Sequence, residues 1–114
     1  MSALIWCPFP DEDAARAVAT RLLDEKLIAC ANLLPLTSLY EWNGERGEGR
    51  EIGVLFKTDA ALLEQAVAAI EAAHPYDCPA VLGWRCDATG KSTAEWLGRL
   101  VSSSRGDAET RRSE

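Results

Sequence analysis

The sequence predicts an α+β domain, a ferredoxin-like β-α-β-β-α-β sandwich with a long central hairpin and a C-terminal helix. Three observations carry that prediction. Apolar runs without helical period alternate with segments whose apolar residues recur at i, i+3, i+4 and i+7. Asn43-Gly44 stands between two strand-like runs as a hairpin-turn signal. Prolines 8, 10 and 75 fall where an element must stop, because proline removes a backbone donor and fixes φ.

Residues 3–7, ALIWC, read as the first strand, ended by Pro8 and Pro10. Asp11 is a plausible N-cap, with Glu12 and Asp13 at the positive end of the helix dipole. Ala15, Val18, Ala19 and Leu22 give that helix one apolar face, ending near Lys26. Residues 27–34, LIACANLL, are apolar throughout, and beyond Pro35 the pattern alternates. This reads as one long strand with a bend at the proline. Gly47 and Gly49 read as extending the polar connection, and residues 51–57, EIGVLFK, as the return strand. Thr58 or Asp59 can cap a second helix faced by Leu63, Ala66, Val67 and Ile70, which Pro75 stops. Residues 80–86 read as a fourth strand, and Ser92 with Glu95 as a capping box opening a third helix with Trp96, Leu97, Leu100 and Val101.

This places one domain at 1–102. Residues 103–114 form a polar tail without large apolar groups, expected to be disordered. The 36–57 hairpin is too long for a compact four-stranded sheet, and open strand edges are normally covered. An oligomer in which hairpins pair between subunits is therefore expected.

Composition limits the function classes. A net charge of −6 and a pI near 4.8 argue against nucleic acid and against anionic lipid as partners. No apolar run approaches the roughly 20 residues that span a bilayer. The start lacks a basic segment followed by a long apolar one, so a cytoplasmic location is expected. The cysteines, at 7, 30, 78 and 86, form no C-x-x-C and are expected as free thiols.

The chemical candidates gather at HPYDCP, residues 74–79, which holds the chain's one histidine. His74 at a helix end reads as a packing or capping residue, or as a metal ligand or proton carrier held by a proline-braced loop. Cys7 ends the first strand beside a helix N-terminus; it reads as a buried strand residue or as a thiol of depressed pKa. A thiolate with an imidazole is a soft pair suited to Cu(I). Cys30 lies in an unbroken apolar run and is expected in the core. Enzymatic signals are thin. An acylphosphatase would need an Arg-bearing phosphate loop where this chain reads CPFPDED, and GERGEG is acidic. The chain is expected not to be an enzyme. The RGD at 105–107 is attributed to chance.

CPFPDE (7–12), EKLIACAN (25–32), SLYEWNG (38–44), FKT (56–58), HPYDCP (74–79) and EWL (95–97) come in the order and spacing of the CutA divalent-cation tolerance family, which the chain resembles over roughly residues 3–101. The resemblance implies a trimer of ferredoxin-like subunits similar to the PII signalling proteins, tolerance of copper and other divalent cations, copper binding as Cu+ or Cu2+, and no catalytic reaction. It implies Cys7 and His74 as the metal-ligand candidates; groups from a neighbouring subunit are expected to complete the shell. It also implies an inter-subunit cleft lined by Tyr40, Trp42, Lys57, Tyr76 and Asp77. The alternative is a PII-like module taking a small ligand in that cleft. The chain departs from the family pattern at Glu45, where Lys is usual, at Ala80, where Glu is usual, and at Thr93, where an aromatic is common.

Overall fold

The computed structural model describes the backbone of residues 1–113 and the side chains of residues 1–102. Its elements are β1 (Ser2–Phe9), α1 (Glu12–Asp24), β2 (Cys30–Trp42), β3 (Glu45–Asp59), a 3-10 turn (Ala60–Leu62), α2 (Leu63–Ala73), β4 (Leu82–Arg85) and α3 (Lys91–Ser113). The strands form one antiparallel sheet in the order β2-β3-β1-β4. This is the expected ferredoxin-like arrangement. The tail expected at 103–114 lies outside the residues described in full.

β1 sets the two faces of the sheet. Its side chains alternate, as strand geometry requires, so that Ala3, Ile5, Cys7 and Phe9 are fully buried while Leu4, Trp6 and Pro8 are half-buried. The pairings Cys7↔Val54 and Ile5↔Phe56 carry the buried face onto β3. Ala15, Val18, Ala19 and Leu22 of α1 and Leu63, Ala66 and Ile70 of α2 cover that face. The helical spacing predicted these residues. α3 contacts β3 and β1, and its Leu97, 2% exposed, is buried outside the main cluster.

Local chemistry sets the boundaries. Asp11 caps α1, its Oδ1 accepting the Ala14 amide at 2.8 Å. The helix closes where the Leu27 amide donates to the Leu22 carbonyl at 2.9 Å, with Lys26 between them at φ 59. Of the two caps offered for the next helix, Asp59 is used: it accepts the Ala61 amide at 2.9 Å and opens the 3-10 turn ahead of α2. Thr58 instead turns inward and donates to the Leu27 carbonyl at 2.7 Å. α3 begins at Lys91, a residue before the expected capping box, and the Ala94 amide closes its first turn on the Gly90 carbonyl at 2.9 Å.

The hairpin departs from the reading of its glycines. β3 begins at Glu45, so Gly47 and Gly49 lie inside the ladder opposite Tyr40 and Ser38. The turn is Asn43-Gly44 alone, at φ 53 and 80, the positive pair that a two-residue hairpin loop demands. The register that follows from the turn pairs Gly47 with Tyr40, whose ring lies across it and leaves no room for a Cβ. Pro35 is tolerated because β2 is an edge strand, where a missing amide leaves no ladder bond unmade. The hairpin carries the molecule to a length of 57 Å against 29 and 22 Å in the other directions.

Candidate functional site

The fold brings the end of β1, the end of α2 and the middle of β3 to one place. Pro75 forces His74 out of helical geometry (φ −72, ψ 140), so the imidazole leaves the end of α2 and folds onto β1. It stacks on Phe9, ring centroids 4.4 Å apart and planes 17° apart. Its Nε2 lies 2.8 Å from the Pro8 carbonyl oxygen, and its Nδ1 accepts the Tyr76 amide at 3.1 Å. A carbonyl only accepts and an amide N–H only donates, so the ring is the neutral tautomer protonated on Nε2. His74 is 8% exposed and both its nitrogens are engaged.

Cys7 reaches the same acceptor. Its Sγ donates to the Pro8 carbonyl at 3.6 Å. β1 delivers the side chain to the core face, where it is fully buried. Burial first, and the negative charge of Glu51 second, push its thiol up to about 12. The depressed thiol allowed by its place beside a helix N-terminus is therefore not found, because the alternation of β1 turns the sulfur inward, away from that end.

Tyr76 completes the cluster. Its ring lies 4.8 Å from the imidazole, and its hydroxyl donates to Glu51 Oε2 at 2.8 Å. Burial, the Glu51 hydrogen bond and then the charges of Glu51, Tyr40 and Asp11 push the phenol up to about 12. Glu51 is the member that sequence reasoning missed. It appeared only as the first residue of a return strand, and nothing local marks a contact across 25 residues.

Of the expected site residues, one chain brings together Cys7, His74 and Tyr76, with Tyr40 within electrostatic reach of Tyr76. It does not gather the others. Trp42 pairs with Glu45 beside the hairpin turn, while Lys57 pairs with Cys30 and Leu4 at the opposite end of β3. Asp77 is exposed in the loop. Cys30, expected in the core, is only half-buried; its register opposite Lys57 puts it on the face away from α1 and α2, where its Sγ lies 3.8 Å from Asn32 Oδ1. A cavity of about 390 Å³ opens between residues 10–12, 35–37 and 50–52, with Arg50 and Glu51 in its wall.

As placed, Cys7 and His74 do not fit a copper ion. Copper needs a thiolate and a nitrogen lone pair. The thiol is held protonated by burial, and the imidazole's lone pair is taken by the Tyr76 amide. Among the described residues, no three of His, Cys, Asp and Glu converge as a metal cluster.

The family model of the CutA1 divalent ion tolerance protein matches residues 3–99. The divalent-cation tolerance protein CutA of Thermococcus kodakarensis is 35% identical over 98 residues, covering 86% of this chain and 94% of that protein. The corresponding protein of Pyrococcus horikoshii is 37% identical over 94 residues, 82% of this chain and 92% of its own. Among solved structures, CutA1 of Pyrococcus horikoshii superposes with a TM-score of 0.81 at 35% identity, covering 86% of this chain and 96% of that one. The Archaeoglobus fulgidus CutA superposes at 0.83 with 27% identity, covering 89% and 99%. The matched span runs from β1 into α3 and takes in all four strands and the whole Cys7–His74–Tyr76–Glu51 cluster: this chain belongs to the CutA family of divalent-cation tolerance proteins.

Proposed function

We propose that the chain acts in divalent-cation tolerance as a homotrimer and without catalysis. One observation carries the proposal: the described surface leaves Leu34, Leu39, Tyr40 and Trp42 of the hairpin and Leu82, Trp84 and Trp96 elsewhere 38–78% exposed, on a sheet whose two edge strands are open. Exposed large apolar groups in such number mark an interaction surface, and an unpaired edge is a template for another strand. A second and third copy of the same chain offer the complementary edge and hairpin. Cation contact, with copper or another divalent ion, then belongs to the assembly, because no three ligand-type residues converge among those described in one chain. Sedimentation equilibrium tests the proposal. It expects a mass three times the chain's 12.4 kDa. A monomer at micromolar concentration would overturn it.

A second reading, a PII-like module for a small ligand, is favoured by the cavity of about 390 Å³, whose wall carries Arg50 beside the carboxylates of Asp11, Glu12 and Glu51. Its signature is thermal stabilisation by a small metabolite that is lost in Arg50→Ala. A screen in which no metabolite stabilises the parent chain removes it.

A further inference from the structure

We propose that Cys7 and His74 are not a metal-ligand pair but a two-donor clamp on the Pro8 carbonyl, and that His74 is a positioning residue that carries Tyr76 to Glu51. Five contacts carry this reading, against the ligand role that family resemblance implies. The Pro8 oxygen receives the imidazole Nε2–H at 2.8 Å and the thiol at 3.6 Å. The other ring nitrogen accepts the Tyr76 amide at 3.1 Å, which fixes the backbone of the loop two residues beyond the ring. Stacking on Phe9 at 4.4 Å holds the imidazole plane. From that fixed amide the Tyr76 side chain crosses to β3 and donates to Glu51 at 2.8 Å.

Every polar atom of the imidazole thus has a partner, and each partner lies on a different piece of chain: β1 through Pro8, the α2–β4 loop through Tyr76. A metal ion on Nε2 would displace the proton that binds Pro8. On Nδ1 it would orphan the Tyr76 amide. On the Cys7 sulfur it would first have to strip a proton from a fully buried group. Each route breaks a satisfied hydrogen bond in a nearly buried place, where an unmade bond is costly. The arrangement has the economy of a structural joint: one carbonyl, two donors, and a ring that reads out whether the loop is seated.

The chain has one histidine, so its ring can be observed without ambiguity. The experiment is nitrogen-15 NMR of the imidazole in the intact reduced protein, before and after one molar equivalent of Cu(I), beside competitive Cu(I) titrations of the parent, Cys7→Ala and His74→Gln. The expected spectrum is the neutral ring protonated on Nε2, unchanged by Cu(I). Copper affinity, including none, is expected to agree within about twofold among the three proteins. In His74→Gln the Tyr76 amide exchanges with solvent at least tenfold faster, while in Cys7→Ala it does not. A ring nitrogen that shifts on Cu(I) addition, or a tenfold loss of affinity in either variant, overturns the clamp. Unchanged Tyr76 exchange in His74→Gln overturns the positioning role. Should His74→Gln fail to fold, the spectrum of the parent and the Cys7→Ala titration still decide the metal question.

Discussion

Tyr76 and Glu51, 25 residues apart, meet through a 2.8 Å hydrogen bond that joins the loop after α2 to the middle of the β2–β3 hairpin. The phenol is the donor and the carboxylate the acceptor, so the bond survives only while the phenol keeps its proton. Seating the loop this way needs His74 turned out of its helix by Pro75, Phe9 beneath the ring, and a β3 register that presents Glu51 at the matching height.

The first prediction follows from the protonation of this cluster. Cys7 titrates at an ordinary 9.0 when unfolded and is pushed up to about 12 when folded. Between those values the unfolded chain sheds a proton that the folded chain keeps, so alkali favours unfolding. The contribution is whole below pH 9 and is lost as pH rises toward 12. Urea midpoints of the parent are expected to fall more steeply from pH 8 to pH 11 than those of Cys7→Ala. Parallel pH profiles would show that the thiol is not held as described.

Thr58 is fully buried and donates to the Leu27 carbonyl at 2.7 Å, tying β3 to the segment after α1. Thr58→Val keeps the volume and removes the donor. A loss of about 1–2 kcal/mol in chemical denaturation is expected, since a buried acceptor is left without its partner. Thr58→Ser, which restores the hydroxyl, should recover part of it.

Gly53 is the most crowded of the glycines in the sheet. A Cβ there would stand 2.3 Å from the Trp6 ring and 2.5 Å from Leu36. Gly53→Ala is expected to cost about 1–3 kcal/mol by overpacking, measured as a shift in the urea midpoint. Trp6 fluorescence should change with it, because the indole must move. The same substitution at Gly49, where a Cβ meets nothing within 4 Å, is the control and should stay within about 0.5 kcal/mol.

Trp42, 56% exposed beside the hairpin turn, tests the proposed assembly. Trp42→Glu is expected to weaken self-association at least tenfold in sedimentation while leaving the far-UV circular dichroism of the folded chain intact. An unchanged mass at nanomolar concentration would remove the hairpin tip from the interface.

Much of this molecule was legible in its residues. The alternation of ALIWC, the helical faces Ala15–Leu22 and Leu63–Ile70, the Asp11 cap and the Asn43-Gly44 turn each rest on interactions among neighbours a few residues apart, so sequence alone determined them. The family resemblance was legible in the same way, from short segments in a fixed order. What the tertiary structure decided depends on which strand lies beside which, and on the register between them. Gly47 became a ladder residue because the strand register pairs it with Tyr40; Cys30 left the core because its partner Lys57 is on the far face. HPYDCP carries the residue types of a metal site, yet those types do not state what their polar atoms meet. Only the fold brings the Pro8 carbonyl 2.8 Å from His74 across 66 residues and turns a soft-ligand pair into two donors sharing one oxygen. Hydrogen bonds of that kind are set by three-dimensional closure, and no spacing along the chain encodes them.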